Sequence, residues 1–297
     1  MGRLLAKLEE KRRLVSDGAW GTLLQARGLG AGACPEEWNV SHPQAVSKVA
    51  SDYAGAGSDL VLTNTFGGSP IKLSRFGLEE RTEELNRAGA RLSVAGAPGA
   101  VVAASVGPTG AFLAPLGDLT EEELASAFRR QITALLEGGV HAVCVETMTA
   151  VEEAACAVSV ARKLSGDIDV ICTMTFDATA QGFRTMMGVD PATAVRVLEV
   201  AGADILGANC GNGIEQMAPL AAEIRSLTSK PVLVHPNAGL PVLRDGETVF
   251  LQSPEDMAAG VGDLLTAGVD IMGGCCGTGP DHIRAIRREV DRWLQAV

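Results

Sequence analysis

Residues 142–175 read AVCVETMTAVEEAACAVSVARKLSGDIDVICTMT, and they contain a strand–helix–strand pattern. The runs at 142–145 and 170–175 are mostly apolar, which is typical of parallel strands that are buried on both faces. Between them, residues 151–164 have a helical pattern. This stretch therefore predicts one repeat of an α/β fold with parallel strands.

The same alternation continues in both directions along the chain. Apolar runs predict eight strands, at 14–16, 60–63, 101–106, 142–145, 170–175, 205–208, 232–235 and 269–272. Helical patterns predict eight helices, at 43–56, 79–95, 121–137, 151–164, 191–200, 215–227, 254–266 and 280–294. Eight strands alternating with eight helices predict a (β/α)₈ TIM barrel, as a single domain over residues 1–297. An open doubly wound sheet is the alternative, which periodicity alone does not exclude.

Composition narrows the class of partner and the compartment. The net charge of -11 disfavours binding to nucleic acid, because an acidic surface repels phosphates. The first residues are charged and helix-like rather than a signal peptide, and no apolar run reaches the roughly 20 residues that span a bilayer. We therefore expect a cytoplasmic protein without a membrane partner. There the 7 cysteines stay reduced, and grouped cysteines indicate a metal or catalysis rather than disulfides.

Residues capable of chemistry follow the predicted strands. The carboxyl ends of all the strands meet on one face of a TIM barrel, where active sites form. We expect the residues after the strands to share that face, namely Asp17, Gly18, Ala19, Asn64, Glu146, Asn209, Cys210, Asn237, Cys275 and Cys276.

The cysteines after the sixth and eighth strands suggest a metal centre. Cys210 ends strand six, and Cys275 and Cys276 lie in the glycine-rich segment GGCCGTG, whose glycines let the backbone bend so that both sulfurs face one point. Three thiolates suit Zn²⁺, and three protein ligands leave the open position of a catalytic site. The alternative is that these are small buried residues at tight turns. His235 lies near this site, but three cysteines suffice as ligands. The other cysteines are predicted to be structural or are given no role: Cys34, Cys144, Cys156 and Cys172.

Polar neighbours of the cysteines are candidates for substrate binding. Glu146 could hold an amino group or another cation, or form an ordinary salt bridge. Asp17 could likewise hold a cationic group or form an ordinary salt bridge, or its side chain could stabilise its own turn at Gly18. Asn64 and Asn209 either hydrogen-bond substrate or join loops. The amide oxygen of Asn237 is a candidate for the open metal position when substrate is absent.

Six motifs resemble the homocysteine S-methyltransferase family across essentially the whole chain. They are DGAWGT (17–22), LTNTFGG (62–68), VETM (145–148), GANCG (207–211), HPNAGLP (235–241) and GGCCGT (273–278). Within that family they look most similar to the homocysteine-binding module of cobalamin-dependent methionine synthase. The resemblance implies a (β/α)₈ barrel, Zn²⁺ on Cys210, Cys275 and Cys276, and a homocysteine whose amino and carboxyl groups are held by residues 17–19 and Glu146.

This resemblance implies methyl transfer to a zinc-bound thiolate of homocysteine, giving methionine. A free thiol, with a pKa of about 8.5, is mostly protonated at neutral pH, and coordination to zinc deprotonates it. The chain contains no DxHxxG cobalamin motif, so a corrinoid donor would have to be carried by a separate protein.

Two other functions stay open at this point. In one, zinc binds a methylated ether, thioether or amine, and the methyl group passes to a separate corrinoid protein. The segment FRTMMGVDP (183–191) motivates this demethylase reading, because it departs from the family pattern and places Met186 and Met187 near strand five. In the other, the chain is a structural or regulatory zinc protein without turnover.

Overall fold

Eight parallel strands form the central sheet of the protein in a computed structural model, which describes residues 2–244 and 247–296. In chain order the strands are Leu14–Val15, Leu60–Leu62, Val101–Val106, Ala142–Met148, Asp169–Met174, Ile205–Gly213, Val232–Asn237 and Ile271–Met272. From the second strand to the eighth, each pairs with the next in this order, and the eighth pairs with the first. A bridge between Ser16 and Leu60 joins the first strand to the second. The ring is therefore closed, which confirms the predicted TIM barrel over the open sheet.

Helices surround the barrel in the predicted alternation. They are Pro43–Gly55, Thr82–Gly96, Glu121–Glu137, Val151–Leu164, Pro191–Ala201, Ile214–Leu227, the pair Pro254–Ala259 and Val261–Thr266, and Pro280–Ala296. The predicted single helix at 254–266 is divided at Gly260, where the low helix propensity of glycine allows a break. Among the described residues no helix is long and apolar enough to cross a membrane.

Further short elements decorate the two ends of the barrel. The amino-terminal helix Arg3–Lys11 covers one end, because the Asp169 carboxylate accepts hydrogen bonds from the backbone N–H groups of Gly2, Leu4 and Leu5. The remaining α-helices are Trp20–Ala26, Trp38–Ser41 and Pro70–Leu73, and the 3₁₀ turns are Pro35–Glu37, Ser74–Phe76 and Glu79–Arg81. Two hairpins follow strands five and seven, Asp177–Thr179 with Gly182–Arg184 and Val242–Arg244 with Glu247–Val249.

Side chains of alternate strand residues form two apolar layers. In the third strand, Val101 and Ala103 pack inside the barrel, whereas Val102 and Ala104 pack against the helices. Leu4 of the amino-terminal helix joins the inner layer. Both layers are buried from water, which explains why the strands are apolar on both faces. The polar residues that follow the strands are left at the opposite end of the barrel from this helix.

Candidate functional site

Three cysteine sulfurs converge at the carboxyl end of the barrel. The Sγ atoms of Cys210, Cys275 and Cys276 all lie within 4.8 Å of one another, and those of Cys210 and Cys276 are 4.0 Å apart. Tetrahedral zinc with Zn–S bonds of about 2.3 Å places its sulfurs about 3.8 Å apart. Within residues 2–244 and 247–296, this is the one group of three His, Cys, Asp or Glu side chains close enough to share a metal ion. The sulfur set thus fits zinc with only a small contraction.

The backbone at Cys210 adopts an unusual conformation that aims its sulfur at the other two. Cys210 and Gly211 have φ angles of +60° and +71°, at a point where the pairing of strands six and seven shifts register. A non-glycine residue in this left-handed region costs about 1–3 kcal/mol. Surrounding hydrogen bonds must therefore hold Cys210 in place.

The side chain of the neighbouring residue Asn209 anchors this turn to strands four and five. Its side chain is fully buried, and its Oδ1 accepts from the Thr147 N–H (2.8 Å) and the Thr173 hydroxyl (2.7 Å). Its Nδ2 donates to Thr147 Oγ1 (2.7 Å). Thr147 also has a positive φ, +60°. The amide of Asn209 therefore holds the left-handed residue Thr147 of strand four beside strand six, directly before Cys210, and its polar atoms are engaged within the protein.

The segment that carries the adjacent cysteines is held by the seventh strand. The Cys276 N–H donates to Asn237 Oδ1 (3.1 Å), the Cys275 N–H donates to the Pro236 carbonyl (2.7 Å), and the Ala238 N–H donates to the Cys276 carbonyl (2.9 Å). Asn237 is buried, with 3% of its surface exposed. Its amide oxygen thus positions the cysteine segment in this structure.

The three thiols strongly shift one another's pKa values. The pKa of Cys210 is lowered, because the thiols of Cys275 and Cys276 donate hydrogen bonds to its sulfur. The pKa values of Cys275 and Cys276 are raised, first by those same hydrogen bonds to Cys210. One thiolate is therefore favoured and the next two are opposed, so a divalent cation is the chemical species that would stabilise all three.

A cavity of about 460 Å³ adjoins the three sulfurs. The predicted residues that line it, besides the cysteines, are Gly18, Ala19, Asn64 and Glu146. Three other predicted residues, Asp17, Asn209 and Asn237, lie behind this wall and contact the residues that form it. The structure therefore brings the predicted set together but divides it into a lining layer and a supporting layer.

Asp17 is a buried carboxylate of the supporting layer. It accepts hydrogen bonds from the Leu62 N–H (2.7 Å), the Trp20 indole (2.8 Å) and the Ser16 hydroxyl (3.1 Å). Burial raises its pKa to about 6, although these hydrogen bonds oppose the shift. Its contacts join the first strand to the second.

Glu146 is the strand-end carboxylate that borders the cavity. Only 8% of its surface is exposed, and its Oε1 accepts a hydrogen bond from the Ser105 hydroxyl. Burial raises its pKa to about 7, an effect that the Ser105 hydrogen bond opposes and that the charges of Asp17 and Cys210 reinforce. A cationic group in the cavity would favour the ionised form of this carboxylate.

His235 also lines the cavity, although strand-end reasoning gave it no role. It is 2% exposed, and its Nε2 atom is buried without a hydrogen-bond partner. Burial lowers the pKa of its ring to about 4, so the imidazole is neutral at pH 7. Further residues line the cavity that were not predicted to bind substrate or metal, among them Trp20, Thr22, Glu36, Thr63, Phe66, Lys72, Phe76, Ser105 and Thr147.

The profile of the family described as homocysteine S-methyltransferase matches residues 14–290. The chain belongs to the homocysteine S-methyltransferase family. The resemblance drawn from the six motifs is thereby confirmed. The matched range contains the complete barrel and all three cysteines.

Curated relatives of this family member include two mycobacterial methionine synthases. The Mycobacterium tuberculosis protein is 31% identical over 298 residues, which cover 94% of this chain and 25% of that protein. The Mycobacterium leprae protein is 31% identical over 300 residues, which cover 95% and 24%. The chain thus spans about a quarter of the length of these relatives.

Solved structures support the same fold. A crystal structure of the homocysteine methyltransferase MmuM from Escherichia coli, in its metallated form, superposes with a TM-score of 0.81 at 24% identity, covering 96% of this chain and 99% of that one. The oxidized form of the same protein gives a TM-score of 0.79 at 25% identity, covering 96% and 98%. This family member therefore shares its barrel with a solved methyltransferase over nearly the whole of both chains.

We expect Asn209→Ala to destabilise this family member by about 1–3 kcal/mol, because it leaves the Thr147 N–H and the Thr173 hydroxyl without their buried partner. Urea unfolding of the metal-free protein measures the change. Thr175→Val is a matched control, since it removes a single hydrogen bond to the Asn209 carbonyl (3.0 Å) and should cost about 1 kcal/mol. Equal stability of Asn209→Ala and the wild type would contradict the supporting role.

Proposed function

We propose that this family member transfers a methyl group from a donor to the sulfur of homocysteine, with methionine as the product, and that Cys210, Cys275 and Cys276 hold Zn²⁺ for this reaction. One observation carries the proposal: three clustered sulfurs lie on the wall of a cavity large enough for a small amino acid. A structural zinc site normally has four protein ligands, whereas three ligands beside a cavity leave a position for substrate. This arrangement argues against a zinc protein without turnover.

Zinc, when bound, would supply a positive charge that favours deprotonation of the substrate thiol. The residues of the chain then bind and orient. Glu146 would pair with the ammonium group of homocysteine, because it is a buried carboxylate on the same cavity wall as the cysteine sulfurs. Ser105 orients that carboxylate. A bond forms between the sulfur and the methyl carbon as the bond from that carbon to the donor breaks, and the thiol proton is released.

The structure favours this function over the demethylase reading. That reading rests on Met186 and Met187, and neither lines the cavity beside the cysteines. Met186 is 81% exposed, and Met187 lines a separate cavity formed with the loop after the third strand. We therefore keep homocysteine as the acceptor and propose that a corrinoid, where it is the donor, is carried by another domain or protein.

A donor panel tests the function directly. Zinc-loaded protein is incubated with methylated corrinoid, sulfonium and ammonium donors, with and without homocysteine, and methionine is measured. We expect methionine to form from at least one donor only when homocysteine is present. Methyl transfer from an ether, thioether or amine to free cob(I)alamin without homocysteine would instead support the demethylase function.

Removal of a cysteine ligand should abolish metal binding. We expect Cys210→Ser and Cys276→Ser to reduce zinc from roughly one ion per chain to less than about a tenth, because the two remaining sulfurs form an incomplete site. Zinc is measured by atomic emission after gel filtration. Cys156→Ser, on the outer helix Val151–Leu164, is the control and should keep its zinc. Full zinc content in either ligand variant would refute the site.

Glu146 is expected to affect substrate and not metal. Glu146→Gln should raise the KM for homocysteine about 10–100-fold, because a charged hydrogen bond to the ammonium group is lost, while zinc content stays at the wild-type level. Steady-state kinetics and metal analysis on the same preparation make the comparison. A parallel loss of zinc would mean that Glu146 supports the metal site.

A further inference from the structure

A separate cavity of about 510 Å³ lies at the end of the barrel that the amino-terminal helix covers. Its walls come from the helix Arg3–Lys11, from the turns that precede strands two and three (57–59 and 98–100) and from the second half of the last helix, Pro280–Ala296. We name it the amino-end cleft. It shares no lining residue with the cavity beside the cysteines, so a ligand in it would be remote from that site.

Positive side chains outnumber carboxylates in the lining of the amino-end cleft. The positive ones are Lys7, Lys11, Arg13 and Arg287, and the carboxylates are Asp59 and Asp291. Arg13 pairs with Asp270 (3.2 Å), an acid that does not line the cleft and that Arg225 also approaches (3.5 Å). Since the whole chain has a net charge of -11, this local excess of positive charge runs against the overall charge and would attract a small anion.

The two carboxylates of the amino-end cleft are already compensated. Asp59 is 4% exposed, and it accepts hydrogen bonds from the Lys11 ammonium group (2.7 Å), the Arg287 guanidinium group (2.9 Å) and the Val15 N–H (3.1 Å). Asp291 pairs with Arg287 (2.6 Å), and its side chain is 54% exposed, so water screens its charge. The charge that remains for a ligand is therefore positive.

Lys7 is the cation of this lining that has no carboxylate partner in the part of the chain that the structure describes, whereas the other three each pair with an aspartate. Its Nζ donates to the Gly99 carbonyl (2.7 Å), and an ammonium group has two further N–H donors. Burial lowers the pKa of Lys7, the charge of Asp59 opposes this shift, and the charge of Lys11 adds to it. A bound anion would use the remaining donors and relieve the repulsion between the two lysines.

The positions of Lys7 and Lys11 suit a ligand that contacts both. They are four residues apart on the helix Arg3–Lys11, so their side chains lie on the same face of that helix. Lysine binds phosphate as a point charge, and the volume of the cleft is in the range of cavities that hold small molecules.

We propose that the amino-end cleft binds a small molecule that carries phosphate groups, and that Lys7 and Lys11 bind its phosphate oxygens. The site is independent of the proposed methyl transfer, because it lies outside the cysteine cavity. A ligand there would join the amino-terminal helix to the turns and the last helix that form the other walls. It would therefore stabilise the folded chain.

Pyrophosphate is the probe that tests this site. Its binding is measured by calorimetry on the wild type with and without bound zinc, because pyrophosphate also binds zinc ions. The variants are Lys7→Met, Lys11→Met and the double variant, with Lys7→Arg to keep the charge. Lys163→Met, an exposed lysine on the outer helix Val151–Leu164, is the control. Thermal unfolding without ligand checks that each variant folds.

We expect the wild type, with or without zinc, and Lys163→Met to bind pyrophosphate with a dissociation constant below about 1 mM. Lys7→Met and Lys11→Met should each weaken binding about 5–20-fold, and the double variant should show no measurable binding, because each substitution removes a charged contact. Lys7→Arg should stay within about threefold of the wild type.

Three outcomes would overturn the proposal. The first is a wild type that does not bind pyrophosphate at millimolar concentration, and the second is a folded double variant with unchanged affinity. The third is binding that requires zinc, which would place the anion at the metal centre. Cosedimentation with vesicles of phosphatidylcholine and phosphatidic acid separates a soluble ligand from a lipid headgroup. We expect no cosedimentation, and cosedimentation that the double variant loses would assign the cleft to a membrane surface instead.

Discussion

The site depends on the left-handed backbone at Cys210. A thiol at the end of an ordinary strand would follow the alternation of the sheet, and the turn at Cys210 and Gly211 redirects it toward the cysteines after strand eight. At the site, Thr147 and Cys210 both have a positive φ, at a cost of about 1–3 kcal/mol each. The buried amide of Asn209 contacts the first and adjoins the second, with hydrogen bonds worth about 1 kcal/mol each. These hydrogen bonds therefore offset part of the backbone strain at the site.

The periodicity of the chain predicted most of the fold. The helices Glu121–Glu137 and Val151–Leu164 and the strand Val101–Val106 have the predicted boundaries, because burial on defined faces determines both the pattern and the element. The two hairpins after strands five and seven were not predicted. In the first hairpin the residues Asp177–Thr179 are exposed. Because they have no buried face, their sequence shows no periodic apolar pattern.

The candidate site was predictable where it coincides with strand ends. Cys210 and the adjacent pair Cys275 and Cys276 could be grouped because a barrel brings all carboxyl ends together. Whether a strand-end residue lines the cavity or supports its wall could not be predicted, since Asp17 and Glu146 have the same type of position in the chain and differ only in which way the side chain is held. Lys72 and Glu36 lie in loops well away from a strand end, so topology alone gave no signal for them.

The ionisable side chains that line the cavity come from different strands and loops of the barrel. Two carboxylates beside three thiols repel one another when ionised, and burial raises the pKa values of Glu146 and Glu36. A divalent metal and a substrate ammonium group would each reduce this repulsion, so the binding of one favours the binding of the other. The repulsion that opposes ionisation of these acids therefore favours a guest that carries a positive charge.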